Sequence, residues 1–220
     1  MARQQPWWGF LAALLVLSGC SQFAGARLFA EAKRLSEDVA KDPASASPEQ
    51  LAASIQAFEQ VVTKAPGSVW AARAGVTLGS LHAATGDHEK AQRAFEEVLA
   101  KYSAYHELCG TARLGIAKIH ESAGRMDEAV AMYEELAGRH TWTDAGLAAP
   151  MYIAHLRREQ GDGKRRAQAY DRAIHFYQEL IRLRKTRPAL RGLNKDQMEV
   201  IALEREGALA VRRWNQGEQA

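Results

Sequence analysis

Two apolar triplets recur along this chain, the first at intervals of 38 and 37 residues, and no other feature restricts its fold as much. Ala74, Leu78 and Leu81 return as Ala112, Ile116 and Ile119, then as Ala149, Ile153 and Leu156. The spacing i, i+4, i+7 places each triplet on one face of a helix. A glycine follows each triplet (Gly86, Gly124, Gly161), and a second triplet follows the glycine. These second triplets are Ala91, Phe95 and Val98; Ala129, Tyr133 and Leu136; Ala173, Tyr177 and Leu180. A glycine between two helices suits the left-handed position that closes the first one. Asp87, Asp127 and Glu128 bring negative charge to the positive end of the second. Each unit is thus a helical hairpin with an alanine at the close crossing and an aromatic wedge one turn later. One hairpin cannot hide both stripes, so neighbours must stack.

The pattern extends both ways. Ser47-Pro48-Glu49-Gln50 has the form of a helix start, with Ser as N-cap, Pro at the first position and Gln reaching back. Leu51, Ile55, Phe58 and Val61 supply its stripe, and Pro66-Gly67 ends it. A partner helix is expected over residues 24–40, then a loop over 42–46. In the third unit the step from Gly161 to Ala173 is longer than in the others, which predicts a lengthened helix over 164–185. Asn194 is expected to cap a last helix over 195–213. Hydrophobic residues at 47% and charged residues at 25%, with only six prolines, are compatible with packed helices throughout.

This pattern resembles the tetratricopeptide repeat, through Leu78-Gly79, Gly86, Ala91 and Phe95 in one unit and Ile116-Ala117, Gly124, Ala129 and Tyr133 in the next. Gly75 stands where the family often has Trp, and His82 and His120 where it often has Tyr. The period also exceeds the family's usual one. The resemblance implies an all-α superhelical solenoid of about four hairpins plus a C-terminal helix, with repeats over 24–190 and a capping helix and tail over 191–220. It further implies that peptides or partner helices bind on the face made by the first helix of each hairpin. Family positions carried over give Arg73, Val76, Ser80 and Ala83, then Thr111, Leu114, Lys118 and Glu121. Small and polar residues there suit hydrogen bonding to an extended chain, and they suit a plain solvated face equally well.

The first residues carry a different signal. Arg3 precedes an uncharged apolar run, Trp7 to Leu17, that is too short for a lasting membrane span. Leu17-Ser18-Gly19-Cys20 behind it resembles a bacterial lipobox. That resemblance implies a signal peptide over 1–19, cleavage before Cys20, acylation of Cys20 and a short tether over 20–23. Two or more acyl chains hold a protein stably at a bilayer. Ser21, in place of an Asp, leans towards the outer membrane, on its periplasmic face, rather than the inner membrane.

Charge is concentrated near the other end. Lys164, Arg165, Arg166, Arg172, Arg182, Arg184, Lys185, Arg187 and Arg191 stand against only Asp171 and Glu179 between residues 164 and 191. Such a stretch can attract acidic partners, anionic lipid or glycan carboxylates, or can be a solvated arginine-rich face. Nucleic acid is not an expected partner outside the cytoplasm. No G-x-S-x-G, P-loop or H-E-x-x-H occurs, so no catalytic residue, cofactor or metal ligand is assigned. His82 and His120 occupy equivalent positions that hairpin packing explains. Cys109 is expected to be a small buried helix residue, and Trp142 to pack between units. The expected role is a lipid-anchored scaffold for protein partners in envelope assembly, most like the repeat lipoprotein of the outer-membrane β-barrel assembly machine. The alternatives are a peptidoglycan- or Tol–Pal-associated protein and a pilus or secretion assembly lipoprotein.

Overall fold

The computed structural model describes residues 8–41, 46–186, 205, 206 and 209, with side chains for 22–39, 41, 46–183, 205, 206 and 209. Among the described residues there are nine helices and no strand: α1 (Trp8–Leu35), α2 (Glu37–Lys41), α3 (Pro48–Lys64), α4 (Val69–Ala84), α5 (His88–Lys101), α6 (His106–Ser122), α7 (Met126–Arg139), α8 (Asp144–Glu159) and α9 (Gly163–Thr186). The all-α, tetratricopeptide-like fold expected from the two triplets is what these helices form.

Local chemistry fixes the helix ends. Ser47 accepts from the Gln50 amide while Gln50 Oε1 accepts from the Ser47 amide, the reciprocal box expected from the sequence. Ser68 and Thr143 cap α4 and α8 by their hydroxyls alone, which accept from the Ala71 and Gly146 amides. Gly86 and Gly124 close the first helix of their hairpins at φ 80° and 74°. There the Asp87 amide donates to the His82 carbonyl and the Gly86 amide to Ala83, and Arg125 and Gly124 repeat this with His120 and Glu121. That double bond pattern is the Schellman closure, and it gives the two histidines their common place.

The chain divides into two compact units, Met1–Ile119 and His120–Ala220, the division falling in the last turn of α6. In the first unit α1 packs on α3 and α4, α3 on α4, and α4 on α5. Phe58, Val61, Ala74, Leu78 and Leu81 form its core with Ala32 and Val39. Phe29 of α1 meets Phe58 at 5.7 Å and Trp70 at 5.5 Å between ring centroids, joining the first helix to the repeats. In the second unit α8 packs against both α7 and α9. Leu147, Ala173, Tyr177 and Leu180 make one core cluster, Ala154, Ala169, Tyr170 and Ile174 another.

Every member of the second triplets is buried, and so is every member of the first except Ile153. Ile153 is half-buried because it lines a groove, and Ala154 takes the fully buried place beside it. The first helix departs from expectation. Instead of one helix over 24–40, α1 runs without a break from Trp8 through Cys20 to Leu35, and Ser36 separates it from α2. Ser36 donates its hydroxyl to the Lys33 carbonyl, a local bond that competes with helix continuation. The long helix expected over 164–185 is α9, and Asp162 accepts from the Arg165 amide at its start. Asn194 and most of the helix expected over 195–213 lie outside the described residues. Residues 205, 206 and 209 are helical, and Leu209 packs on the cluster around Ala154 and Ile174. Trp142 packs on the cluster formed by Leu147, Ala173, Tyr177 and Leu180.

Candidate protein-binding faces

Helix α4 presents two unlike faces. At about 100° per residue, Arg73, Val76, Ser80 and Ala83 fall on one side, and Ala71, Gly75, Leu78 and His82 on the other. The first side is the expected partner face. Arg73 and Ser80 are exposed there, and Val76 and Ala83 are half-buried. The Arg73 guanidinium lies 4.9 Å from the Trp70 ring centroid, so its orientation is held by an aromatic face. Ser80 donates to the Val76 carbonyl and Thr111 to that of Glu107, leaving each hydroxyl oxygen able to accept from a partner.

Thr111 and Lys118 of α6 are exposed, and Leu114 is half-buried. Phe95 makes α4 and α6 neighbours. A methyl group added at Gly79 or at Gly115 would overlap opposite edges of its ring, so the ring fills the space between the two helices. Seven of the eight expected residues therefore sit on α4 and α6 within the first unit. Glu121 lies in the second unit, where its carboxylate accepts from the Tyr133 hydroxyl at 2.8 Å. Burial first, then this carboxylate, pushes the Tyr133 phenol far above its ordinary value. Glu121 thus serves the hairpin's own packing.

The opposite side of α4 opens into a groove of about 370 Å³ between α3 and α5. Val62, Gly75, Leu78 and Val98 line its apolar part, with His82 and Lys90 among its polar neighbours. Burial lowers the His82 pKa and Lys90 adds to this, while Asp87 and Glu59 oppose it. The groove escaped the sequence reading because it depends on how α3, α4 and α5 approach one another, and at Gly75 a Cβ would stand 2.6 Å from Val98 Cγ2, so this glycine marks a close approach of α5. Gly75 was visible as a departure from the repeat pattern, and that departure was the available signal.

Three members of the basic stretch lie near acids and stay exposed. Arg165 lies 3.4 Å from Asp162, Arg172 lies 3.9 Å from Glu134, and Arg182 makes two bonds to Glu179 at 2.6 and 2.8 Å. Lys164 is exposed and Arg166 half-buried. Arg184 and Lys185 belong to α9 with side chains outside the described set, and Arg187 and Arg191 lie outside it altogether. Cys109 is buried, its thiol 3.4 Å from the Tyr102 carbonyl, and burial raises its pKa. At the second hairpin turn, His120 Nδ1 lies 2.8 Å from Glu128 and 2.9 Å from Arg125 Nε. Among the described residues no group of three or more His, Cys, Asp or Glu is arranged to hold a metal ion. No helix among them is long and apolar enough to cross a membrane.

The Cys20 backbone lies within α1, its side chain outside the described set. Phe23, one helical turn later, is 79% exposed.

A tetratricopeptide repeat family model matches residues 76–145, from the middle of α4 into the first turn of α8. No curated protein matches the chain. Among solved structures, BtubC (BKLC) from P. vanneervenii is similar at 16% identity and a TM-score of 0.47, over 92% of this chain and 94% of that one. The matched segment contains one whole hairpin, α6–α7, and parts of those on either side. Equivalent burial of the triplets carries the same pattern to Leu180. Residues 76–145 thus match the tetratricopeptide repeat within an all-α fold of the same kind, and such repeats form scaffolds for protein–protein interaction.

Proposed function

We propose that the protein is a lipid-anchored scaffold that gathers protein partners in a bacterial cell envelope, in the manner of the repeat lipoprotein of the outer-membrane β-barrel assembly machine. The observation that carries the scaffold reading is the outer side of α4 and α6. Arg73, Ser80, Thr111 and Lys118 are exposed there, on two helices braced by one shared ring. A rigid face with free acceptors binds an extended or helical segment with little ordering cost. The anchor reading rests on Leu17-Ser18-Gly19-Cys20 behind an apolar run. Exposed Phe23 supports it, since an aromatic ring beside an acylated cysteine would sit at the lipid surface. Confinement there raises the effective concentration of partners in the same layer.

Two experiments test this. Cys20→Ser should move the protein from membranes to the soluble fraction. Retention at high salt would contradict the anchor. A photo-crosslinker at Val76 or Leu114 should capture envelope proteins, with or without prior cell-wall digestion. Capture lost on digestion would favour the peptidoglycan-associated alternative, and no capture at all would remove the scaffold reading.

A further inference from the structure

The groove beside Gly75 has a counterpart in the second unit, and the two differ in one instructive way. By repeat position, Glu59 corresponds to Glu134, Gly75 to Pro150, Leu78 to Ile153, Lys90 to Arg172 and Ala94 to Phe176. All ten of these residues line their respective grooves, the first of about 370 Å³ and the second of about 180 Å³. The second is about half the size, and the large Phe176 ring lines it where the first has only the Ala94 methyl. Its mouth is also spanned by Arg172 and Glu134 at 3.9 Å. In the first unit Lys90 turns to Asp87 instead, at 2.7 Å.

The geometry points to the groove of α3, α4 and α5 as the seat for an aromatic side chain of a partner polypeptide, held where the protein's own Phe176 lies in the equivalent groove. The polypeptide nature of the occupant rests on the scaffold reading above. Its chemistry rests on the internal counterpart. The groove has a floor of Val62, Leu78, Ala94 and Val98 and a volume in the range of sites that enclose small organic groups. A buried aromatic anchor is the usual energetic centre of a protein interface. This site lies on the opposite side of α4 from Arg73, Val76 and Ser80. One helix would then carry two contact surfaces.

N-acetyl-phenylalaninamide and N-acetyl-leucinamide are suitable probes on the full chain, followed through the methyl resonances of Val62, Leu78 and Val98. The aromatic amide should shift these methyls, and the leucine amide should do so several-fold less. Ala94→Phe, which copies the second unit, should weaken the response at least about tenfold, as expected for loss of an anchor pocket. Phe176→Ala should do the converse and make the Ile153 methyls respond. Equal response to both amides in the unaltered protein, or an undiminished response in a folded Ala94→Phe protein, would overturn the proposal. The first of these holds even if Ala94→Phe fails to fold. Crosslinking from Val76 with no groove response would sink the groove alone. Groove response with no crosslinking would sink the scaffold reading and with it the polypeptide nature of the occupant, leaving the groove's preference for an aromatic group.

Discussion

The wedge positions of two successive hairpins are filled in opposite styles. Phe95 is 2% exposed and works by shape, its ring edges lying where side chains at Gly79 and Gly115 would be. Tyr133 is fully buried and works by pairing. Its ring stacks on Tyr152 at 5.1 Å, and its hydroxyl donates to Glu121. By repeat position Tyr152 corresponds to Gly115, so the next helix offers a gap in one case and a second ring in the other. A repeat thus conserves the location of a wedge without conserving how the wedge is accommodated. The cost of altering it should differ accordingly.

The largest effect should come from Phe95→Ala. Removing a buried ring that two helices share should cost about 3–5 kcal/mol in chemical denaturation. A cost near zero would mean that the ring does not join α4 to α6. Gly115→Ala comes next. Alanine favours a helix over glycine, yet its methyl must displace the Phe95 ring, so a net loss of about 1–3 kcal/mol is expected. A gain in stability would show that the ring moves aside freely.

Tyr133→Phe keeps the stack and removes one hydrogen bond to a carboxylate, for a loss of about 1 kcal/mol. It should also change the alkaline limb. The Tyr133 pKa is raised on folding by burial and by Glu121, from an ordinary value of 10.0. Its contribution is therefore complete below that value and is lost as the pH climbs through and beyond it. The variant should lose stability less steeply there, and an unchanged slope measured by denaturation from pH 9 upward would count against the buried phenol. The smallest effect concerns the helix starts. Asp87 accepts from the Lys90 amide, whereas Arg125 provides no side-chain cap for α7. Asp87→Ala should lower Tm by a few degrees, and Arg125→Asp should recover a similar amount through a new cap.

Much of this was legible because burial follows period. Phe58, Phe95, Tyr133 and Tyr177 were marked as wedges by spacing alone, and the Ser47 box by its four residues. The closing glycines were legible for a steric reason, since φ near +75° is strained for any residue with a Cβ. What spacing does not encode is the partner across a gap. Gly115 and Tyr152 are neither alike nor complementary in sequence, yet each is decided by the ring it faces. The groove at Gly75 and the break at Ser36 escaped for related reasons. One depends on how closely Val98 approaches Gly75, the other on a hydroxyl choosing a local carbonyl. Arginine composition likewise did not name the acids nearby, and Asp162, Glu134 and Glu179 lie near three of those exposed side chains.

The sharing of Phe95 between α4 and α6 is what lets successive hairpins present one braced surface, and a double-mutant cycle between Phe95 and Gly115 measures it directly. With Phe95 in place, Gly115→Ala should destabilise. In a Phe95→Ala background the same change should be neutral or favourable, giving a coupling of about 0.5–3 kcal/mol. Strict additivity of the two changes would contradict the account.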